Sequence, residues 1–174
     1  MKSIHKRKKL SKLEEVNLIK WAKDKLRKGI NKIKVSSASP GNFYMFDYDS
    51  KLYEEDKLEY YDRQPLILLL DKRGGYYLGL NFHYLPGSVR KDVLDRLKKR
   101  YSKQWSKDKK LPNVKWSNVK GEIRHSKIMV KLYLENRINK AVQIKNTEMD
   151  KVIDLKSEDF IGISADKLWE EMGF

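Results

Sequence analysis

The sequence predicts an α+β fold: a small, strongly bent antiparallel sheet or partial barrel carrying N-terminal, middle and C-terminal helices. Three observations lead there: several short β-prone runs, one strong hairpin turning at Gly74-Gly75, and amphipathic segments before, between and after the strands. At 174 residues the chain has single-domain size. Residues 1–38 read as a basic arm and helix, and residues 39–174 as one β-rich domain with helical insertions.

Taken in order, Ser11 and Glu14 have capping-box spacing, and Leu13, Val16, Ile19 and Leu26 form an apolar stripe that stops at Gly29. This predicts a helix over residues 11–28, with Lys6 to Lys9 as a charged arm before it. Ser36 to Gly41 is a loop between this leader and the β-rich body. Phe43 to Tyr48 is a first strand and Asp49 to Glu59 an acidic loop. Pro65 to Leu70 is apolar on both faces, as a central strand would be, and its hairpin partner runs from Tyr76 to Leu85. Ser88 caps a second helix, residues 88–104, whose buried stripe is Val93, Leu94, Leu97 and Tyr101. Trp105 to Gly121 reads as a long basic loop. Ser126 to Asn136 alternates like a strand yet also fits a helix face; Glu135-Asn136-Arg137 is poor strand material, which favours helix. Ala141 to Ile144 and Val152 to Leu155 are expected as short strands, and Ser164 caps a last helix ending near Met172.

Apolar residues make up 40% of the chain, with 10 Tyr and 4 Trp, enough to offset the entropy of ordering it. The absence of cysteine excludes disulfides, thiolate metal sites and a cysteine nucleophile. Met1 to Leu10 is basic but is followed by Ser11, Lys12, Glu14 and Glu15, unlike a signal peptide, and no run approaches the roughly 18 apolar residues of a membrane span. No membrane partner is expected, and the protein should be intracellular or packaged in a particle.

The net charge of +15 is blocky: +10 over residues 1–40, −4 over 41–72, +13 over 73–140 and −4 over 141–174. Two basic blocks separated by acidic ones point to surfaces that meet a polyanion. The competing explanation is a genome bias towards Lys, which heavily outnumbers Arg.

Catalytic patterns are incomplete. His125-Ser126-Lys127 opens like the His-x-Lys-x4-Asp motif of phospholipase D enzymes and related nucleases, in which His attacks phosphorus, but the Asp position holds Leu132. Asp47, Asp49 and Asp62 match no metal-loop spacing and read better as an acidic loop that supports turns and pairs with Arg63. His83, between Phe82 and Tyr84 in a strand, reads as a structural hydrogen-bonding residue. No Walker loop, dinucleotide fingerprint or zinc spacing occurs. Neither metal nor cofactor is expected, and the protein is not expected to be an enzyme.

The candidate binding residues are Arg90, Lys91, Arg96, Lys98, Lys99, Arg100, Lys103, Trp105, Lys107, Lys109 and Lys110, with Tyr101, Lys115 and Trp116 interleaved, and the arm Lys6, Arg7, Lys8 and Lys9. Lys and Arg neutralise phosphates and release counterions, while Trp and Tyr stack on exposed bases. A solvated helix face is the plain alternative; the run continues past the helix with only Asp92, Asp95 and Asp108 to relieve it. Nucleic acid, DNA bound without sequence preference, is the expected partner. A protein-interaction factor docking an acidic surface is the second reading, and a phosphodiesterase nuclease the third.

Pro40-Gly41-Asn42-Phe43-Tyr44-Met45-Phe46-Asp47-Tyr48-Asp49, then Tyr60-Tyr61-Asp62-Arg63-Gln64-Pro65, then Gly79-Leu80-Asn81-Phe82-His83-Tyr84-Leu85-Pro86, resemble a family of small basic virion or DNA-end-protector-like proteins of large contractile-tailed bacteriophages. The resemblance spans roughly residues 40–100, with an echo from Asp159-Phe160-Ile161-Gly162 to Trp169. It points to a phage origin, and with the basic blocks the expectation is a non-enzymatic structural role in coating DNA, protecting its ends or sitting where it passes between head and tail. It also implies location in the virion or host cytoplasm, with phage structural proteins as further partners. Gly79 to Pro86 is open to two readings, a site or a fold signature.

Overall fold

A computed structural model describes residues 31–174 together with Lys20 and Asp24, both helical. The remainder of the helix expected over residues 11–28, and the arm Lys6, Arg7, Lys8 and Lys9, lie outside the described residues.

The strands are β1 (Phe43–Tyr48), β2 (Tyr61–Asp62), β3 (Leu66–Arg73), β4 (Tyr76–Asn81), β5 (Val130–Leu134), β6 (Ile138–Ile144) and β7 (Phe160–Ile161). Five of them form an antiparallel sheet in the order β5-β4-β3-β1-β6, and β2 pairs with β7. The described helices are α1 (Lys51–Glu54), α2 (Gly87–Arg100), α3 (Ser102–Ser106), α4 (Trp116–Val119), α5 (Ser126–Met129), α6 (Met149–Ile153) and α7 (Ala165–Glu171). The protein is thus mixed α+β, as expected.

Connectivity forces the sheet to bend. β5 and β6 lie at opposite edges yet are joined by a single 3-10 turn, Glu135–Arg137. Strands about 4.8 Å apart would put the edges of a flat five-stranded sheet about 19 Å from one another. The four residue steps from Leu134 to Ile138 reach at most about 14 Å. Register shifts between Met45 and Asp47 and between Leu69 and Asp71 add local bend. The curl stays open, because β5 and β6 do not pair.

Side chains alternate across the sheet. Phe43, Met45, Leu66, Leu68 and Leu80 face a helical layer contributing Val93, Leu94, Leu97, Val152 and Ile153. Tyr44, Phe46, Tyr48, Ile67, Tyr77 and Tyr133 fill the other face. The rings of Tyr48 in β1 and Tyr133 in β5 are 5.0 Å apart although two strands separate them, so this second face is the concave one.

Several local expectations are corrected. Only Ser126–Met129 of the stretch to Asn136 is helical; Val130–Leu134 pairs with β4, whose free edge offers backbone partners, and Glu135-Asn136-Arg137 forms the turn that follows. Val152 and Ile153 belong to α6, not a strand: with Met149 they have the i, i+3, i+4 spacing of a buried helical face. The second helix breaks at Tyr101 before α3, and its N-cap is Pro86 without a side-chain bond, not Ser88. The strand partner of β3 ends at Asn81, whose side chain accepts from the His83 N–H and turns the chain into a 3-10 helix. His83 therefore does not lie in a strand. The acidic loop contains α1, capped by Ser50, and the long basic loop contains α4, with Leu111, Val114 and Val119 buried in the core. Ala141 to Ile144 is in β6, and Ser164 caps α7 by accepting from the Lys167 N–H at 3.3 Å.

Candidate nucleic-acid interface

α2 turns Val93, Leu94 and Leu97 to the sheet and leaves Arg96, Lys99 and Arg100 exposed. Lys103, Lys107, Lys109 and Lys110 follow, also exposed, while Lys91 and Lys98 are half-buried. Lys98 pairs with Asp150 at 2.5 Å and Arg100 with Glu122. Arg96, Lys99, Lys103, Lys107, Lys109 and Lys110 have no carboxylate partner among the described residues.

Two predicted members do not reach this surface. Arg90 is 2% exposed: its Nε donates to Leu85 O at 2.5 Å, Nη2 to His83 O at 3.3 Å, and Nη1 to Glu158 at 3.1 Å. Burial pulls its pKa below the ordinary value, and Glu158 and Asp62 oppose that. Arg90 sits one turn into α2, on the side facing the Phe82–Tyr84 turn, which helical periodicity alone does not distinguish from the outer face. Trp105 is 7% exposed and packs edge-on against Phe43 at 5.6 Å. Tyr101 is buried, Trp116 half-buried and Lys115 exposed.

The loop bearing Lys107, Lys109 and Lys110 is clamped. Asp108 Oδ1 accepts from Asn146 N at 2.6 Å, Asn146 Nδ2 donates to Lys109 O at 2.8 Å, and Leu111 N donates to Gly41 O at 2.8 Å. Asp108 holds the loop in place, and the three lysines stand on a fixed support.

Sequence reasoning missed Arg124. It is exposed, has no carboxylate partner among the described residues, and with Arg96 lines two adjoining clefts beside α2. The signal was there, since Arg124 and Lys127 flank His125-Ser126 and the sequence reading already gave His125 and Lys127 to the basic surface before a helix, without adding the neighbouring Arg124. His125 is half-buried in a left-handed conformation (φ 66°) and packs on Phe174 at 5.0 Å. Burial, aided by the charge of Arg124, lowers its pKa. Leu132, at the position of the missing Asp, is 57% exposed.

Beneath the surface, the Gly79 to Pro86 run builds a buried polar network. His83 Nδ1 lies 2.7 Å from Asp62 Oδ2 and its Nε2 3.0 Å from Ser157 Oγ, while Asn81 Nδ2 donates to Asp62 at 2.9 Å and to Tyr133 Oη at 3.0 Å. Burial alone would push the Asp62 carboxyl up; the His83 charge and hydrogen bonds from His83, Asn81 and the Gln64 N–H bring it below its ordinary value. Trp169 Nε1 in α7 donates to His83 O at 3.0 Å. The order Asp–His–Ser is that of a hydrolytic relay, but His83 is fully buried. What the network does geometrically is tie the β2 segment, the Phe82–Tyr84 turn, the Ser157–Glu158 loop and α7 together. At Gly79 a β-carbon would meet Ile67 Cδ1 at 2.7 Å, so this glycine serves close packing. The motif has the geometry of a fold signature.

Asp47 bonds Gln64 and Lys140, Asp49 faces Arg137, and Asp62 is taken by His83, so the three carboxylates are not gathered; Arg63 pairs with Asp159 instead of any of them. Among the described residues no cluster of three or more His, Asp or Glu is placed to hold a metal, and no helix is long and apolar enough to cross a membrane.

No curated protein and no solved structure matches the chain. The model of a family described as the Phage T4 terminal DNA protecting protein matches residues 2–172. That span takes in the described fold, both basic blocks and every motif on which the phage resemblance rests, and the chain belongs to the family of the phage T4 terminal DNA protecting protein.

Proposed function

We propose that this protein binds the ends of linear phage DNA through its phosphates and shields them by occupancy, without catalysing a reaction on them. The observation that carries this reading is the set of exposed cations on α2, α3 and the clamped loop that have no carboxylate partner among the described residues: Arg96, Lys99, Lys103, Lys107, Lys109 and Lys110, extended by Arg124. Lys91, Lys98, Arg100 and the arm Lys6, Arg7, Lys8 and Lys9 complete the interface. Each such group displaces a condensed counterion when it meets a phosphate, so binding is strong at low salt and indifferent to sequence. Family membership supports the choice of DNA ends over other polyanions. The same reading places the protein in the virion or host cytoplasm, beside phage structural proteins.

The test is exonuclease digestion of linear duplex DNA with and without the protein at two salt concentrations. Protection at low salt that fades as salt rises supports the reading. Ends degraded at the same rate with saturating protein would overturn it.

A further inference from the structure

At one mouth of the curled sheet lies a cleft of about 390 Å³, lined by half-buried Tyr60 and Tyr61 and, deeper, by buried Tyr84 and Tyr133. Leu52, Leu58 and Leu132 stand on its rim, 47%, 41% and 57% exposed; they are three of five exposed large apolar side chains among the described residues. Ligand sites favour such mouths. Half-buried Lys131 enters from β5, its Nζ 4.1 Å from the centroid of the Tyr84 ring, and it has no carboxylate partner among the described residues. Asp62, which also lines the cleft, is already engaged by His83 and Asn81. Glu59 is exposed at the rim, where solvent screens its charge.

We infer that this cleft takes the terminal nucleotide of a DNA strand, its base against the half-buried rings of Tyr60 and Tyr61 and the leucine rim and its phosphate on Lys131 Nζ. The inference rests on the end-binding reading above and supplies what that reading lacks. Phosphate contacts are the same along a duplex and at its end. Only an end offers a base with an unstacked face, one that leaves the helix at small cost. Aromatic side chains receive any base, because every base has a π-face. A recessed ammonium with no counterion among the described residues is the matching half for the phosphate. Burial lowers the Lys131 pKa to about 8, which still leaves it mostly protonated at neutral pH. Arg124, exposed Lys127 and Lys131 lie along one segment. The seven residue steps from Arg124 to Lys131 span at most about 25 Å, so a backbone held at Arg124 can deliver its end to the cleft within about seven base-pair steps of 3.4 Å.

The experiment compares affinity for a linear duplex with affinity for the same duplex closed by hairpin loops at both ends, using wild type, Lys131→Met, Lys131→Arg and Leu132→Ser. Wild type is expected to prefer the open duplex by about tenfold or more. Lys131→Met and Leu132→Ser should lose that preference while keeping affinity for the closed duplex, and Lys131→Arg should retain part of it. Lys131→Met removes a half-buried charge that has no carboxylate partner among the described residues, and a melting temperature at or above that of wild type will show that it is folded. A wild-type preference that survives in Lys131→Met overturns the inference and leaves end binding intact, as does an equal loss of affinity for both duplexes. A wild type that does not distinguish the two duplexes overturns both readings.

Discussion

Gly41 and Leu111 meet so closely that a β-carbon on Gly41 would lie 2.2 Å from the Leu111 carbonyl oxygen, while the Leu111 N–H donates to Gly41 O at 2.8 Å. Gly41 also has φ 91°, a conformation that side-chain-bearing residues rarely adopt. This contact joins the start of β1 to the end of the lysine-bearing loop. Gly41→Ala must therefore displace the loop or the strand. Its cost should exceed about 1 kcal/mol, visible as a lowered melting temperature, and backbone amides of residues 107–111 should exchange hydrogen faster than in wild type. A variant with unchanged melting and exchange would mean that the clamp does not hold the loop.

Removing exposed charges separates binding from folding. Lys99, Lys103, Lys109 and Lys110 are exposed and have no carboxylate partner among the described residues, so replacing all four by Gln should leave melting nearly unchanged. If each meets a phosphate, the slope of log affinity against log salt should flatten by up to about four units on duplex DNA. Lys98 is left out of the set because it pairs with Asp150. An unaltered slope in a folded variant would make this surface a solvated face and shift attention to Lys6 to Lys9.

The Gly74-Gly75 hairpin, the apolar β3 run and the Val93, Leu94, Leu97 stripe follow from local pattern, because turn chemistry and periodicity act over a few residues. β5 did not, because its strand state depends on the distant edge of β4. Arg90 was expected at the surface because its charge is visible in a sequence and its burial is not, whereas Trp105, four residues after Tyr101 and eight after Leu97, already sat at core-compatible helical spacing. Arg90 goes inside only because Glu158, 68 residues away, and the carbonyls of His83 and Leu85 meet its donors. The exposed cations were legible as a class, whereas the cleft around Lys131, assembled from α1, β2, β5 and the Phe82–Tyr84 turn, had no local signature.

Arg90 should behave as a structural residue. Arg90→Ala leaves Glu158, 11% exposed at its side chain, facing the interior without its cation. Removing one partner of a buried pair typically costs about 3–5 kcal/mol. Urea denaturation should show a loss of that order, while DNA affinity per folded molecule stays at the wild-type value. Weak DNA binding by a variant of undiminished stability would instead return Arg90 to the interface.

Core truncation gives the scale for these changes. Leu94 and Leu97 are almost fully buried between α2 and the sheet, and either one changed to Ala should cost roughly 2–5 kcal/mol through lost transfer energy and a residual cavity. A cost below about 1 kcal/mol at both positions would contradict the packing of α2 on the convex face.

The Asp62–His83 contact should be read out by acid. Asp62 is 2% exposed, and its pKa lies below the ordinary 3.8 because the His83 charge and three hydrogen-bond donors outweigh the upward push of burial. A carboxyl held lower in the folded than in the unfolded state contributes stability that is fully present above the unfolded pKa and is lost as pH falls through the folded one. Asp62→Asn cannot titrate and should melt below wild type at pH 5. As the pH is lowered from 5 towards 2, the wild type should lose its advantage and the two melting temperatures should converge, with most of the change below about pH 3.9. A gap that stays constant across that range would show that the pairing of Asp62 with His83 does not favour the ionised carboxylate. The network would then join its four segments by shape and neutral hydrogen bonds alone.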